Sequence, residues 1–168
     1  YVVNPFTKDA YFDFDLFKKH VGLAQRIMDD IIDLELEKIE KIMEKIESDP
    51  ENEEVKGAER HLWQKIYKKS GQGRRTGVGI TAEGDMIAAM GLRYGTEEAT
   101  AFSEEVHKTV ALEAYRSSVN MAKERGAFAI YDWEREKNNP FVNRIKEADP
   151  ALYEEMKQYG RRNIACLT

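Results

Sequence analysis

Cysteine is almost absent from this 168-residue sequence, which contains only Cys166. One cysteine excludes an internal disulfide framework and any zinc site built from paired cysteines. No apolar run approaches the roughly 18 residues that would suggest a membrane span. No charged segment followed by an apolar one marks a signal peptide at the start. The sequence therefore predicts a soluble cytoplasmic protein, or a piece of one, with no membrane partner.

Positive charge is also scarce, because 26 Lys and Arg stand against 31 Asp and Glu, a formal net charge of −5. Domains that bind nucleic acid are normally basic, so this balance argues against such a partner. Hydrophobic residues make up 42% of the chain and charged residues 34%. The composition and length predict a single domain with one core beneath a strongly ionic surface.

Neither end of the chain has a polar tail. The sequence begins at Tyr1 without an initiator Met and stops in the β-capable, apolar run Asn163–Thr168. Termini of whole domains tend to be polar and loosely held. We therefore expect residues 1–168 to be a single segment of a longer polypeptide.

Apolar residues at steps of three and four predict long helices in the first half. Asp13 is the candidate N-cap of the first helix, and its apolar stripe continues to Ile46. Asp49 and Pro50 are expected to cap and open a second helix over about 50–70. Residues 36–70 would then form a charged helical hairpin inserted in the domain. Two interpretations stay open: a solvated insertion held by a narrow apolar seam, or a partner-binding coiled coil with fewer than three clean heptads.

From Gly71 the composition becomes glycine-rich and β-capable. Thr76–Ile80 is predicted to be a buried strand whose glycines permit close approach of another backbone. Thr81 is predicted to cap a short helix over 82–90, and Thr96 to start a long helix that Gly126 ends. The remaining predicted elements are a short strand or extended segment at Ala127–Tyr131, helices opened by Asn139-Pro140 and Asp149-Pro150, and a last strand at Asn163–Thr168.

This order of elements predicts a helix-rich α/β fold. Strands separated by long helical crossovers pair in parallel. Two or three short strands cannot form a covered parallel sheet alone, so the missing strands are expected outside these residues.

The glycines do not complete a phosphate-binding motif. The pairs Gly71/Gly73 and Gly77/Gly79 begin like a dinucleotide fingerprint, but the third glycine is missing and no Gly-Lys-Ser/Thr follows. We interpret them as allowing tight strand packing.

The residues that most often act as nucleophiles or metal ligands are isolated. His20, His61 and His107 have no second ligand at a recognisable spacing and are interpreted as surface or boundary residues. Cys166 is expected to be a small hydrophobe in the last strand.

Two groups of charged residues remain. Asp29, Asp30 and Asp33 could hold Mg²⁺ or act as acid and base, but a solvated helix face is the favoured interpretation. The pairs Arg74-Arg75 and Arg161-Arg162 precede predicted strands. Ligands of parallel α/β folds gather at the opposite ends, so these arginines are expected to form salt bridges instead of binding substrate.

Several of these segments resemble the large catalytic subunit of ribonucleotide reductases. The strongest likeness is residues 73–95, with the sequence GRRTGVGITAEGDMIAAMGLRYG. Residues 113–118, 122–128 and 160–165 match the same family in the same order, as do Asn4-Pro5-Phe6 and the helix that follows. The resemblance covers nearly the whole chain, varies most at 36–70, and is closest to the adenosylcobalamin-dependent class.

The resemblance implies a segment of a ten-stranded α/β barrel with a central finger loop. Such enzymes convert ribonucleotides to deoxyribonucleotides for DNA replication through a cysteine thiyl radical that abstracts the ribose 3′-hydrogen. In the family, the radical cysteine, the two redox cysteines and the phosphate-binding loop lie outside the part that these residues match. The resemblance thus implies no catalytic, substrate-binding or metal residue here, and adenosylcobalamin as a cofactor of the parent enzyme only.

The implied partners are the remainder of the barrel or a complementary chain, with a ribonucleotide substrate and a thioredoxin-type reductant for the parent enzyme. The segment alone is expected to be inactive. The alternatives are one piece of a split reductase, or a helical protein-interaction module that uses the 36–70 hairpin.

Overall fold

The computed structural model describes all residues from Tyr1 to Thr168 and is dominated by helices. The elements are β1 (Val2–Val3), β2 (Tyr11–Phe12), α1 (Phe14–Ser48), α2 (Glu53–Gly73), α3 (Glu83–Ala89), α4 (Glu97–Arg125), α5 (Trp133–Glu136), α6 (Pro140–Ala148) and α7 (Pro150–Tyr159). None of these helices combines the length and the apolar composition needed to cross a bilayer.

The first helix forms as predicted. The side chain of Asp13 accepts a hydrogen bond from the Leu16 N–H at 2.9 Å, which satisfies one free amide of the first turn. The helix then runs for 35 residues and packs along α4. Its inner face joins one hydrophobic core with residues of α4, α6 and α7, among them Val21, Val110, Val119, Val142, Leu152 and Met156.

The prediction for the start of the second helix was wrong. Asp49 ends α1 instead of capping α2, and its carboxylate pairs with Lys45 at 2.9 Å. The N-cap of α2 is Asn52, whose side chain accepts from the Val55 N–H at 3.0 Å. The second helix thus begins at Glu53, three residues later than predicted, and Asn52 stands at its N-cap position.

The two helices form the predicted antiparallel hairpin, and α2 packs mainly on α1. Ile39 and Ile46 of α1 are buried in the seam. Polar contacts border it, including a 2.7 Å hydrogen bond from the Tyr67 hydroxyl to Glu40 and an Arg60–Glu47 salt bridge.

Two boundaries in the glycine-rich region differ from the prediction. Gly71–Gly73 form the last turn of α2, because Arg74 adopts the left-handed conformation (φ 44°) that ends the helix. Thr81 does not cap α3; the N-cap is Ala82, at φ 60° and without a capping side chain.

The later capping predictions are confirmed. The side chains of Thr96, Asn139 and Asp149 each accept a hydrogen bond from the first turn of α4, α6 and α7, respectively. Gly126 ends α4 and Gly160 ends α7, both at positive φ.

The two predicted strands pair in parallel, but only as a short irregular bridge between Val78 and Leu167. The Thr76 N–H donates to Ala165 O at 3.0 Å, and the Val78 N–H to Cys166 O at 2.9 Å. The donors advance by two residues while the acceptors advance by one, so no regular ladder forms.

The predicted segment Ala127–Tyr131 forms no strand. Its Phe128 N–H donates to Arg161 O, and the chain then turns, with the Tyr131 N–H bonded to Phe128 O. The short antiparallel pair β1–β2 was not predicted, because two-residue strands leave no periodic signal.

Candidate functional site

A buried polar network lies at the amino ends of the parallel pair, and Asp29 is at its centre. Asp29 and Gln25 lie one turn apart on the inner face of α1, and both are completely buried. The prediction that the acidic cluster forms a solvated face was therefore wrong for Asp29. It holds for Asp30 and Asp33, whose side chains are about half exposed.

Arg74 connects the end of α2 to α1. Its Nε donates to Asp29 Oδ1 and its Nη1 to Asp33 Oδ1, both at 2.7 Å. Its Nη2 donates to the Asp29 carbonyl oxygen at 2.9 Å. These contacts offset the cost of holding a non-glycine residue in the left-handed region.

Two further arginines complete the charge balance. Arg162 Nε lies 3.3 Å from Asp29 Oδ2, and Arg125 Nη1 lies 2.6 Å from Asp30 Oδ1 and 3.4 Å from Asp29 Oδ2. Together with Arg74, three guanidinium groups face the three carboxylates. The cluster has no surplus negative charge, so its electrostatics do not favour binding a divalent cation.

Burial by itself would raise the pKa of Asp29. The hydrogen bond and charge of Arg74, the amide of Asn163 and the charge of Arg162 outweigh burial and lower the pKa from its ordinary value of 3.8. Asp29 is thus an anion fixed by its neighbours, unlike a general base, which needs a pKa near the working pH.

Asn163 joins the network to the second segment of the parallel pair. Its Nδ2 donates to Asp29 Oδ1 at 2.9 Å and to Arg74 O at 3.1 Å. Its Oδ1 accepts from Gln25 Nε2 at 2.9 Å and from Ser118 Oγ at 2.8 Å. All of its hydrogen-bonding positions on the amide are used, as burial requires.

The arginine that precedes Arg162 has a separate role. Arg161 is buried, and its Nη1 pairs with Glu136 Oε2 at 2.8 Å. Its Nε and Nη2 donate to the carbonyl oxygens of Asn163 and Ile164. The predicted salt bridges are thus confirmed for Arg74, Arg161 and Arg162, whereas Arg75 is exposed.

The opposite, carboxyl ends of the pair contain Gly77 and Gly79, two of the four glycines that the sequence assigned to tight strand packing. A Cβ at Gly77 would lie 2.5 Å from Thr168 Cγ2, and one at Gly79 would lie 2.3 Å from Thr168 Oγ1. Real side chains do not approach so closely, so the interpretation is confirmed for these two glycines. It was wrong for Gly71 and Gly73, which lie in the last turn of α2.

Two cavities border these carboxyl ends, where ligands of parallel α/β folds usually bind. One, of about 580 Å³, lies between α1, the β1–β2 pair and residues 78–82, and its walls are mostly apolar. The other, of about 250 Å³, is bordered by Thr168, Glu83 and His107. Hydrogen bonds from Ser103 and His107 lower the pKa of Glu83.

The isolated residues lie where the sequence predicted. All three histidines are exposed, and Cys166 is completely buried. Burial raises the pKa of the Cys166 thiol to about 12. Sequence reasoning missed Gln25, Ser118 and Asn163; the only signal was the position of Gln25 and Asp29 among the buried apolar residues of α1.

Comparison with known proteins gives a consistent result. Residues 2–168 match the family described as ribonucleotide reductase, barrel domain. A vitamin B12-dependent ribonucleoside-diphosphate reductase of Mycobacterium tuberculosis is 24% identical over 123 residues, which are 73% of this chain and 14% of the relative. The corresponding protein of Thermoplasma acidophilum is 26% identical over 127 residues, 74% of this chain and 13% of the relative.

A ribonucleoside-diphosphate reductase subunit alpha of Chlamydia pneumoniae is 34% identical over 65 residues, or 37% of this chain and 6% of the relative. The chain thus spans a small part, about one-seventh or less, of the length of each of these relatives.

Proposed function

This chain belongs to the ribonucleotide reductase barrel-domain family, and from that premise we propose that it forms part of the catalytic barrel of a ribonucleotide reductase. The barrel would be the ten-stranded one that the sequence resemblance implies. The parent enzyme would convert ribonucleotides to deoxyribonucleotides, with a thioredoxin-type protein as reductant.

The observation that carries this proposal is the parallel pair with its free edges. Its two segments are separated by the helices α3 to α7, which is the crossover that parallel pairing needs. The main-chain groups of Gly77 and Gly79 make no hydrogen bond within the chain. Gly77 is partly buried and Gly79 is exposed, so these groups are accessible and neighbouring barrel strands would pair with them.

The chain itself would provide structure and no reacting group. Its one cysteine is buried with a pKa of about 12, so it is unsuited to exchange electrons with a substrate or a reductant. The radical and redox cysteines would lie in other parts of the reductase. If the chain is one piece of a split reductase, the radical and redox cysteines would also lie elsewhere, and a complementary chain would pair with the open edges.

Adenosylcobalamin is the cofactor that the vitamin B12-dependent relatives suggest for the parent enzyme. We propose that its site lies outside these residues, because every buried polar side-chain atom already has a hydrogen-bond partner within the chain and none is left over for the cofactor's amides or phosphate.

Expression of the complete reading frame that encodes these residues tests the proposal. The product should reduce ribonucleotides when adenosylcobalamin and a dithiol are added, with the deoxyribonucleotide measured by chromatography. The control is the 168-residue chain alone, which should give no heat of binding with nucleoside di- or triphosphates in calorimetry. A folded full-length product that forms no deoxyribonucleotide would contradict the proposal, as would turnover by the chain alone.

The rival hypothesis is a helical interaction module built on the 36–70 hairpin. Two apolar side chains of α2, Val55 and Leu62, are exposed by 40% and 53%, and they could contact a partner. Shortening the hairpin separates the two hypotheses, because the reductase hypothesis predicts that activity survives.

A further inference from the structure

Few main-chain hydrogen bonds connect the two segments of the parallel pair. Three connect residues 76–80 to residues 163–168: the Thr76 N–H to Ala165 O, the Val78 N–H to Cys166 O and the Thr168 N–H to Val78 O. A fourth runs from the Ile164 N–H to Gly73 O at the end of α2. The ladder is also irregular, so main-chain pairing alone defines the register weakly.

Side chains add about as many bonds to the same backbone. Asn163 Nδ2 donates to Arg74 O at 3.1 Å, and Thr76 Oγ1 donates to Ala165 O at 2.9 Å. Arg161 donates to the carbonyl oxygens of Asn163 and Ile164. The amino ends of both segments are thereby tied to side chains in one buried cluster.

That cluster is anchored on two long helices. Asn163 bonds to Asp29 and Gln25 of α1 and to Ser118 of α4. Its own N–H donates to Ser118 Oγ at 3.0 Å, which fixes the main chain as well as the side chain. A shift of the second segment by one residue, about 3.3 Å, would break all of these bonds together.

We propose that Asp29 and Asn163 are positioning residues of the reductase, which hold the two parallel segments in register so that their carboxyl ends meet the reacting groups correctly. This inference rests on the proposed function. Neither residue touches the carboxyl-end cavities, so both act through Val78 and Thr168. Misplacement of reacting groups by about 1 Å can reduce a rate by about 100-fold.

Asn163→Asp in the full-length reductase is the sharpest test. It keeps the size of the side chain but replaces the Nδ2 donor with an oxygen facing Asp29 Oδ1, which now lies 2.9 Å from Nδ2. The kcat per folded molecule should fall by about 100-fold, with KM changed much less. Asp29→Asn should also lower kcat, because three arginines lose their shared buried anion.

The pH dependence of kcat distinguishes a positioning role from simple loss of folded protein, which would not produce the dependence expected here. In Asn163→Asp the new carboxyl would face the Asp29 carboxylate and the Arg74 carbonyl oxygen, with Gln25 and Ser118 on its other side. The guanidinium groups of Arg74 and Arg162 lie on Asp29. When it is protonated its O–H can donate to Asp29 as the amide does. Its kcat relative to that of the unsubstituted reductase should therefore rise as the pH falls.

Hydrogen exchange tests the positioning without the reaction. The Val78 and Thr168 amides should exchange faster in Asn163→Asp than in the unsubstituted protein. Because this measurement needs no enzyme activity, it tests the positioning role even if the reductase assay fails. Glu47→Gln, in the exposed Arg60 pair of the hairpin, is the matched control and should change neither readout. If Asn163→Asp does not fold, Ser118→Ala replaces it. This change removes the bond to Asn163 Oδ1 and the acceptor of the Asn163 N–H, but it keeps both bonds from Asn163 Nδ2, so we expect a smaller loss.

Active, folded variants with unchanged kcat and unchanged exchange at Val78 and Thr168 would overturn the inference and leave the proposed function intact. Inactivity of the unsubstituted full-length protein would instead overturn the proposed function. Hydrogen exchange alone would then show whether Asp29 and Asn163 hold the two segments in register.

Discussion

Asp29 shows how one buried charge can organise three arginines from different parts of the chain. Arg74 follows α2, Arg125 ends α4 and Arg162 follows α7, and each contacts a carboxylate oxygen of Asp29. An ion of this kind adds little net stability when fully paired, but its removal leaves buried charge uncompensated. Asp29→Ala should therefore lower the free energy of unfolding by about 3–5 kcal/mol at neutral pH.

The lowered pKa of Asp29 predicts acid sensitivity. In the folded state Asp29 stays charged at pH values where the unfolded chain binds a proton, near its ordinary value of 3.8. Its contribution to stability is therefore present above pH 3.8 and is lost as the pH falls through the lower folded pKa. Thermal midpoints from about pH 7 to about pH 3 should fall less steeply for Asp29→Asn than for the unsubstituted protein. Glu37→Gln, at an exposed carboxylate outside the ion pairs of the structure, is the control; an equal slope for all three proteins would refute the prediction.

Cys166 is expected to be chemically inert in the folded protein. Burial raises the pKa of its thiol to about 12, so almost no thiolate exists near neutral pH, and no reagent can reach it. Iodoacetamide at about pH 8 should label Cys166 only after denaturant is added, as measured by mass spectrometry of the chain. Rapid labelling under native conditions would show that the last segment opens, which is the opposite of what its complete burial predicts.

At the scale of elements, the parallel segments depend on the absence of side chains at two glycines. Gly77→Ala places a methyl group 2.5 Å from Thr168 Cγ2, so we expect a loss of about 1–3 kcal/mol of unfolding free energy. Adding Thr168→Ala should restore part of it, because that change removes the clashing methyl group. Chemical denaturation measures both effects.

Gly57 offers a matched control for this substitution. It lies inside α2, and no atom lies within 4 Å of the position that a methyl group would take there. Gly57→Ala should therefore stabilise the protein by about 0.5–1 kcal/mol. A loss of stability at Gly57 as large as that at Gly77 would mean that the close approach to Thr168 is not the cause.

At the scale of the whole molecule, the hairpin is separable from the core. The Tyr67 hydroxyl bonds to Glu40 at 2.7 Å, so α1 and α2 are adjacent there. Residues 41–66 can therefore be replaced by a turn of about 2–8 residues. Because the core cluster contains no residue of this range, the full-length reductase should keep its activity and most of its thermal stability.

The outcome for this shortened protein discriminates between the hypotheses. Retained deoxyribonucleotide formation agrees with a solvated insertion. Loss of activity with intact folding would favour a hairpin that binds a partner. The Gly57→Ala protein, which keeps the hairpin at full length, serves as the control for changes confined to α2.

Local sequence patterns predicted the helices because the signals that define them are local. The caps at Asp13, Thr96, Asn139 and Asp149 are confirmed, since each needs only a side chain and an amide two or three residues away. The error at Asp49 has the same origin. Asp49 and Asn52 are both residues that can cap and lie three positions apart, so the local pattern alone does not say which one α2 uses.

Sequence patterns were enough to specify the helical framework, the parallel relation of two distant segments and, through ordered motifs, the family. Long-range packing was needed to establish that Asp29 is buried, that Asn163 bonds to it, and that the two predicted strands form only an irregular bridge. Those outcomes depend on groups up to 134 positions apart. A carboxylate on a helix can be solvated or buried, and only the arrival of Arg74, Arg162 and Asn163 from other elements makes burial favourable.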